Sequence, residues 1–141
     1  MNLSKTILLI LTICLMSCTN ADDTASVQET DSGLLSSKFG IWEGVGQQPG
    51  ISWTIKITLG PDEQLIEYPS LECGGFLTLL EETENALLFR ETITFNSICA
   101  DQGFIELIET SNNSLDYNYY FPNIDNEQGQ LGATGQVTKT N

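Results

Sequence analysis

Ile51-Ser52-Trp53-Thr54-Ile55-Lys56-Ile57-Thr58-Leu59 is the stretch that decides the fold. Apolar side chains at 51, 53, 55, 57 and 59 alternate with Ser52, Thr54, Lys56 and Thr58. That period of two puts successive side chains on opposite faces of an extended chain, so one face is buried and the other meets water. Turn chemistry brackets the run. Pro49-Gly50 suits the central pair of a type II turn, and Gly60-Pro61-Asp62-Glu63 suits a type I turn.

Outward from this strand the same signals repeat. Phe39 to Gly46 precedes it, and Gln64 to Pro69, Gly75 to Glu81, Ala86 to Phe95, Gly103 to Thr110, Leu115 to Phe121 and Gln130 to Thr138 follow. Short polar turns separate them, at Glu82 to Asn85 and Ser111 to Ser114, with a longer polar loop at Pro122 to Gly129. No segment sustains ten residues of helical periodicity. The expectation is an all-β protein: a single small antiparallel meander of about eight strands, with a closed barrel preferred to a sandwich. Closure removes the unpaired edges that would otherwise recruit other chains.

The first residues are built differently. Lys5 is followed by an apolar run, Ile7 to Met16, broken only by Thr12, and then by the small Ser17. This is the charge, apolar core and small-residue order of an export signal. At roughly ten residues the run is too short to span a bilayer core of ~30 Å as a helix. Leu15-Met16-Ser17-Cys18 resembles a bacterial lipobox. The resemblance implies cleavage before Cys18, acylation of that cysteine, and anchoring of the protein to the membrane through its acyl chains; two or three chains anchor stably where one does not. Asp22-Asp23 resembles the acidic surface-export signal of Bacteroidota lipoproteins, and Thr19 stands where an inner-membrane retention aspartate would be. The location so implied is the bacterial cell envelope, at the outer membrane on its periplasmic or surface face. Three parts result: a signal peptide at 1–17, a lipidated disordered tether at 18–37 that is too polar to build a core, and the β domain at 38–141.

With Cys14 leaving in the signal and Cys18 carrying lipid, Cys73 and Cys99 remain. In an exported protein such a pair forms a structural disulfide. The 141-residue chain has 19 acidic and 5 basic residues and a formal net charge of −14. It lacks the basic footprint of a nucleic-acid binder and would be repelled by phosphate. Histidine is absent from the chain, which removes Ser-His-Asp and Cys-His catalysis and His-ligated zinc or haem. Asp125-Asn126-Glu127 fails the spacing of an EF-hand calcium loop. No metal or other cofactor is expected.

Two further resemblances bear on the β domain. Gly40-Ile41-Trp42 is similar to the Gly-x-Trp of lipocalin and avidin-like barrels, which bind small, mostly apolar ligands in the barrel mouth. Their arginine near the last strand is missing, and Lys139 is the residue that could take its place over Trp42. Trp42-Glu43-Gly44, Tyr68 to Gly75, Phe89 to Ile93 and Cys99 together resemble a small extracytoplasmic β domain of bacterial lipoproteins and of some membrane serine/threonine kinases. That family implies location and fold more than mechanism.

Two strands carry candidate site residues. Leu87, Phe89, Ile93 and Phe95 share one face of the fifth strand, and Glu91 falls among them. A carboxylate on an inward face is costly unless paired, hydrogen-bonded or protonated. It is either internally satisfied or a polar determinant inside a ligand cavity. On the seventh strand Leu115, Tyr117, Tyr119 and Phe121 form an aromatic face, read as core or as pocket wall. The candidate cavity residues are Glu91, Trp53, Phe89, Tyr117 and Tyr119. The bulk of the four aromatic ones favours a filled or nearly filled interior. The expected function is binding or sensing of a small apolar ligand, not catalysis; the alternative is a structural lipoprotein whose filled barrel contacts an envelope protein. Carboxylates are numerous enough to leave a glycosidase pair open.

Overall fold

The computed structural model describes residues 33–140. The expected signal peptide, the expected lipidation site Cys18 and nearly all of the expected tether lie outside the described residues. A short helical turn, α1 (Leu34–Ser37), leads into β1 (Gly40–Gln48), β2 (Ile51–Leu59), β3 (Gln64–Tyr68), β4 (Cys73–Glu82), β5 (Ala86–Phe95), β6 (Phe104–Ser111), β7 (Ser114–Pro122) and β8 (Gln128–Thr140). A 3-10 turn, Pro69–Leu71, joins β3 to β4. Each strand pairs antiparallel with its sequence neighbour, and β1 pairs with β8 to close the barrel. The all-β, eight-stranded closed meander is therefore the architecture of the molecule.

Strand 51–59 shows how the pattern becomes a core. Ile55, Ile57 and Leu59 are buried, while their alternates Thr54, Lys56 and Thr58 are exposed or half-buried on the outer face. Gly50 has φ +86°, the value that the third position of a type II turn requires and that side chains resist. Gly75, beside a register shift in the β4–β5 ladder, is needed for close approach: a Cβ there would collide with the Thr92 carbonyl.

One end of the barrel is sealed and the other is not. At the sealed end the Trp42 indole is fully buried and donates from Nε1 to the Lys38 carbonyl at 2.8 Å. The Lys139 ammonium lies 5.5 Å from its ring centroid, so a cation does take the place of the missing arginine. Lys38 is itself buried and forms an ion pair with Glu109. Leu34 and Leu35 pack against the core, and the Leu35 amide donates to Glu82 Oε1 at 3.2 Å. Leu34 to Ser37, expected to belong to a disordered tether, form α1 instead. Leu34-Leu35, the first large apolar pair after Cys18 in the sequence, finds core surface to cover.

The expected disulfide is present between Cys73 and Cys99, 26 residues apart in sequence. It pins the β5–β6 connection to the start of β4. On the chain-entropy account a loop of this size contributes about 3.5 kcal/mol through the unfolded state. Replacing both cysteines with alanine should lower the unfolding free energy in urea by about that amount. An unchanged midpoint and slope would show that the bond does not constrain the unfolded chain.

Candidate functional site

Strand direction determines what lies at the unsealed end. Strands β1, β3, β5 and β7 all run toward it, so it is rimmed by the β1–β2 turn, the 3-10 turn, the β5–β6 loop and the β7–β8 loop. Between them a cavity of about 230 Å³ opens to solvent, lined by Gln48, Ile51, Trp53, Tyr68, Leu71, Glu91, Ile98, Cys99, Ala100, Tyr117, Tyr119, Phe121 and Ala133. Toward the sealed end, Ile57, Leu59, Leu87, Leu107, Leu115 and Val137 fill the interior. The interior expected to be filled or nearly so is therefore filled at one end and hollow at the other.

The structure brings Glu91, Trp53, Tyr117 and Tyr119 to this cavity as expected, and it excludes Phe89. Phe89 sits two residues closer to the sealed end on the same face of β5 and is fully buried in the core. Phe95 also departs from the expected face. The ladder pairs Gly75 with Ile93 and Gly74 with Phe95, so Thr94 is an extra residue in β5. This bulge reverses the alternation and leaves Phe95 48% exposed, its ring over Gly74.

Glu91 is the chemical centre of the site. Its side chain is fully buried, with Oε1 accepting a 2.6 Å hydrogen bond from the Tyr68 hydroxyl. Tyr68 Oη lies 3.1 Å from Tyr117 Oη. A hydroxyl has one proton, and Tyr68 directs its own to the carboxylate, so Tyr117 donates to Tyr68. The two hydroxyls therefore form a relay pointing at Glu91. Two buried atoms of the site have no protein partner, Glu91 Oε2 and the Tyr119 hydroxyl. Unpartnered buried polar groups of this kind cost free energy and call for an explanation in function.

Burial disfavours the charged carboxylate and raises the Glu91 pKa to about 7; the Tyr68 hydrogen bond pulls it down and the Asp101 charge pushes it up. Burial also raises Tyr119, to about 12, aided by the Glu91 charge. Tyr68 and Tyr117 are shifted upward as well, chiefly by burial, so all three phenols stay protonated in any physiological medium. Asp101 is held low, first by accepting from the Ile93 amide at 2.8 Å. The same Oδ1 accepts from the Gln102 amide, which folds the β5–β6 loop into the mouth.

Several lining residues come from places without a clean alternation. Tyr68 ends a five-residue strand, and Ile98 rides on a loop held by the disulfide. Ala133 faces Tyr119 just before the ladder skips Gly132. For Tyr68 a signal did exist, since Ile66 and Tyr68 are spaced by two and both buried. On the outer face of β5, Arg90 stacks 4.3 Å from the Phe104 centroid and donates to the Gln102 and Asn126 carbonyls, joining the two longest mouth loops.

Comparison of the chain with protein-family models, with curated proteins and with solved structures finds no match. Function is therefore argued from the cavity itself.

The raised Glu91 pKa has a consequence for stability. Between pH about 4.5 and about 7 the folded state retains a proton that the unfolded chain releases. Stability is then fully present below the unfolded pKa and falls as pH rises through the folded one. A Glu91→Gln variant does not titrate, so wild type should lose about 3 kcal/mol relative to it between pH 4.5 and pH 8. Urea unfolding of both proteins across that range measures the difference, and a flat difference would mean the carboxyl is solvated in the folded protein.

Proposed function

We propose that this chain is a lipid-anchored lipoprotein of the bacterial cell envelope whose barrel takes a small, largely apolar ligand into its mouth, as a binding or sensing module. The observation that carries the reading is the open cavity of about 230 Å³ with a fully buried carboxyl at its floor. Pockets for drug-sized molecules measure roughly 300–1,000 Å³, so the ligand is a small one, of one or two rings. Trp53, Tyr119 and Phe121 supply flat apolar wall, and Phe121 meets Tyr119 edge-to-face at 5.3 Å. The floor holds one carboxyl and three phenols, the phenols kept protonated by burial, a polar set suited to orienting a ligand more than to transforming it. Anchoring by acyl chains on Cys18 rests on Leu15-Met16-Ser17-Cys18, and the acidic charge of the chain leaves no basic patch to hold it to anionic lipid.

A second reading has one observation in its favour. The rim is apolar, with Ile51 47%, Ile98 74% and Ile124 96% exposed. Such a collar fits an envelope protein that caps the mouth, in which case the cavity is covered and not filled.

Two experiments test the proposal. Indole at about ten times its dissociation constant should raise Tm by about 6 °C. Ala133→Phe, which places a ring in the cavity, should abolish that shift while the protein remains folded. A wild-type Tm that indole does not move would argue for the capped mouth. For the anchor, Cys18→Ser should accumulate as uncleaved precursor without incorporated fatty acid; a mutant processed like wild type, as read by mass spectrometry, would refute lipidation.

A further inference from the structure

The relay at the cavity floor has a direction, and direction implies a class of ligand. Tyr117 donates to Tyr68 and Tyr68 donates to Glu91 Oε1, so both protons are committed toward the carboxyl. What remains at the floor is mainly acceptor capacity: Glu91 Oε2 has no donor, neither Tyr117 nor Tyr68 has a proton left to offer, and the Tyr119 hydroxyl is the one phenol donor left uncommitted. A ligand that brings only acceptors, such as a carboxylate or phosphate, would meet the Glu91 carboxyl, with the Tyr119 hydroxyl as the one phenol free to donate to it. Among the described residues that line the cavity, Glu91 is the only one that carries charge, and none is basic. Arg90, the nearest cation in sequence, is turned outward onto Phe104 and two loop carbonyls.

Three features favour a positive charge instead. An ionised Glu91 is a buried anion without a counter-charge, and a cation beside it gains more than it would in water. The walls are lined by Trp53, Tyr68, Tyr117, Tyr119 and Phe121, aromatic rings of the kind whose π-clouds attract a cation. The protein as a whole, at a formal net charge of −14, draws cations toward it and repels anions. The size of the cavity restricts the cation to a compact one.

We propose that the mouth cavity selects a small amine, a primary or secondary ammonium on a body of about one ring, with the ammonium donating to Glu91 Oε2 and the body lying against Trp53 and Phe121. The inference rests on the ligand-binding reading above and narrows it. Glu91 Oε2 has no accessible surface of its own, so the nitrogen reaches it by a small displacement of a lining side chain. The Tyr119 hydroxyl has no hydrogen bond to lose in such a movement. Binding also couples to protonation. Near pH 7 an empty site holds Glu91 about half protonated, and a bound ammonium favours the ionised form. The groups facing that carboxyl are Tyr68 from β3, Tyr117 and Tyr119 from β7, and Asp101 from the β5–β6 loop. The three phenols keep their protons in this range and Asp101 stays ionised, so the proton released comes from Glu91.

The test is isothermal titration of the wild-type protein with three probes of one shape: 3-phenylpropylamine, 3-phenylpropanol and 3-phenylpropionate. At pH 7.5 the amine should bind at least about tenfold more tightly than the alcohol, and the carboxylate should not bind. In Glu91→Gln the preference for the amine over the alcohol should disappear. A second readout needs no variant: at pH 7, titration in buffers of different ionisation enthalpy should show release of about half a proton per amine bound. The alcohol should release none. Equal affinity for amine and alcohol, tighter binding of the carboxylate, or amine binding without proton release would overturn the amine assignment and leave a neutral-ligand cavity standing. Failure of all three probes and of indole would overturn the cavity reading as well.

Discussion

Everything in this fold depends on β1 lying against β8. The seam runs from Ile41 opposite Thr140 to Gln47 opposite Thr134, and it converts an eight-stranded sheet with two free edges into a tube with none. A tube of eight strands is only wide enough for side chains or for one small ligand. The inward residues therefore compete for a fixed volume, and their distribution along the axis decides which end is solid. Here the large aliphatic residues sit toward the end sealed by Trp42, while polar-tipped aromatic ones occupy the mouth.

Within that tube, Glu91 is placed against its own interest. A core built for stability alone would have an aliphatic residue between Phe89 and Ile93, since burying a carboxyl costs more than its single hydrogen bond returns. The surroundings reduce that cost without removing it: Tyr68 donates to one oxygen, Tyr117 supports Tyr68, and the other oxygen is left open. The disulfide and Asp101 then hold the β5–β6 loop so that Ile98, Cys99 and Ala100 complete the wall. Stability is spent locally to keep a polar, shaped hollow in place.

How much of this was legible depended on how regular the backbone is. Strand 51–59 announced itself because its alternation is unbroken, with Ile55, Ile57 and Leu59 buried on one face. Glu91 was legible for the same reason, as a single acidic residue in an otherwise apolar inward series. Phe95 was misplaced because the extra Thr94 reverses the face, and a bulge leaves no trace in the pattern of apolar residues. Phe89 was assigned to the cavity because period two fixes the face and says nothing about depth along the axis. Tyr68 and Ile98 reach the site through a short strand and a cross-linked loop, where long-range contact and not local periodicity sets position.

The sealed end has a mechanical meaning. The described chain enters there, through α1 and Lys38, and the last strand finishes there, with Lys139 over Trp42. A load transmitted through Gly33 is met first by the packing of Leu34 and Leu35, the Lys38–Glu109 ion pair and the Trp42 hydrogen bond to Lys38. None of these groups touches the mouth, which opens at the opposite pole and is braced by its own disulfide and by Arg90. The barrel can be pulled by one pole without deforming the hollow at the other.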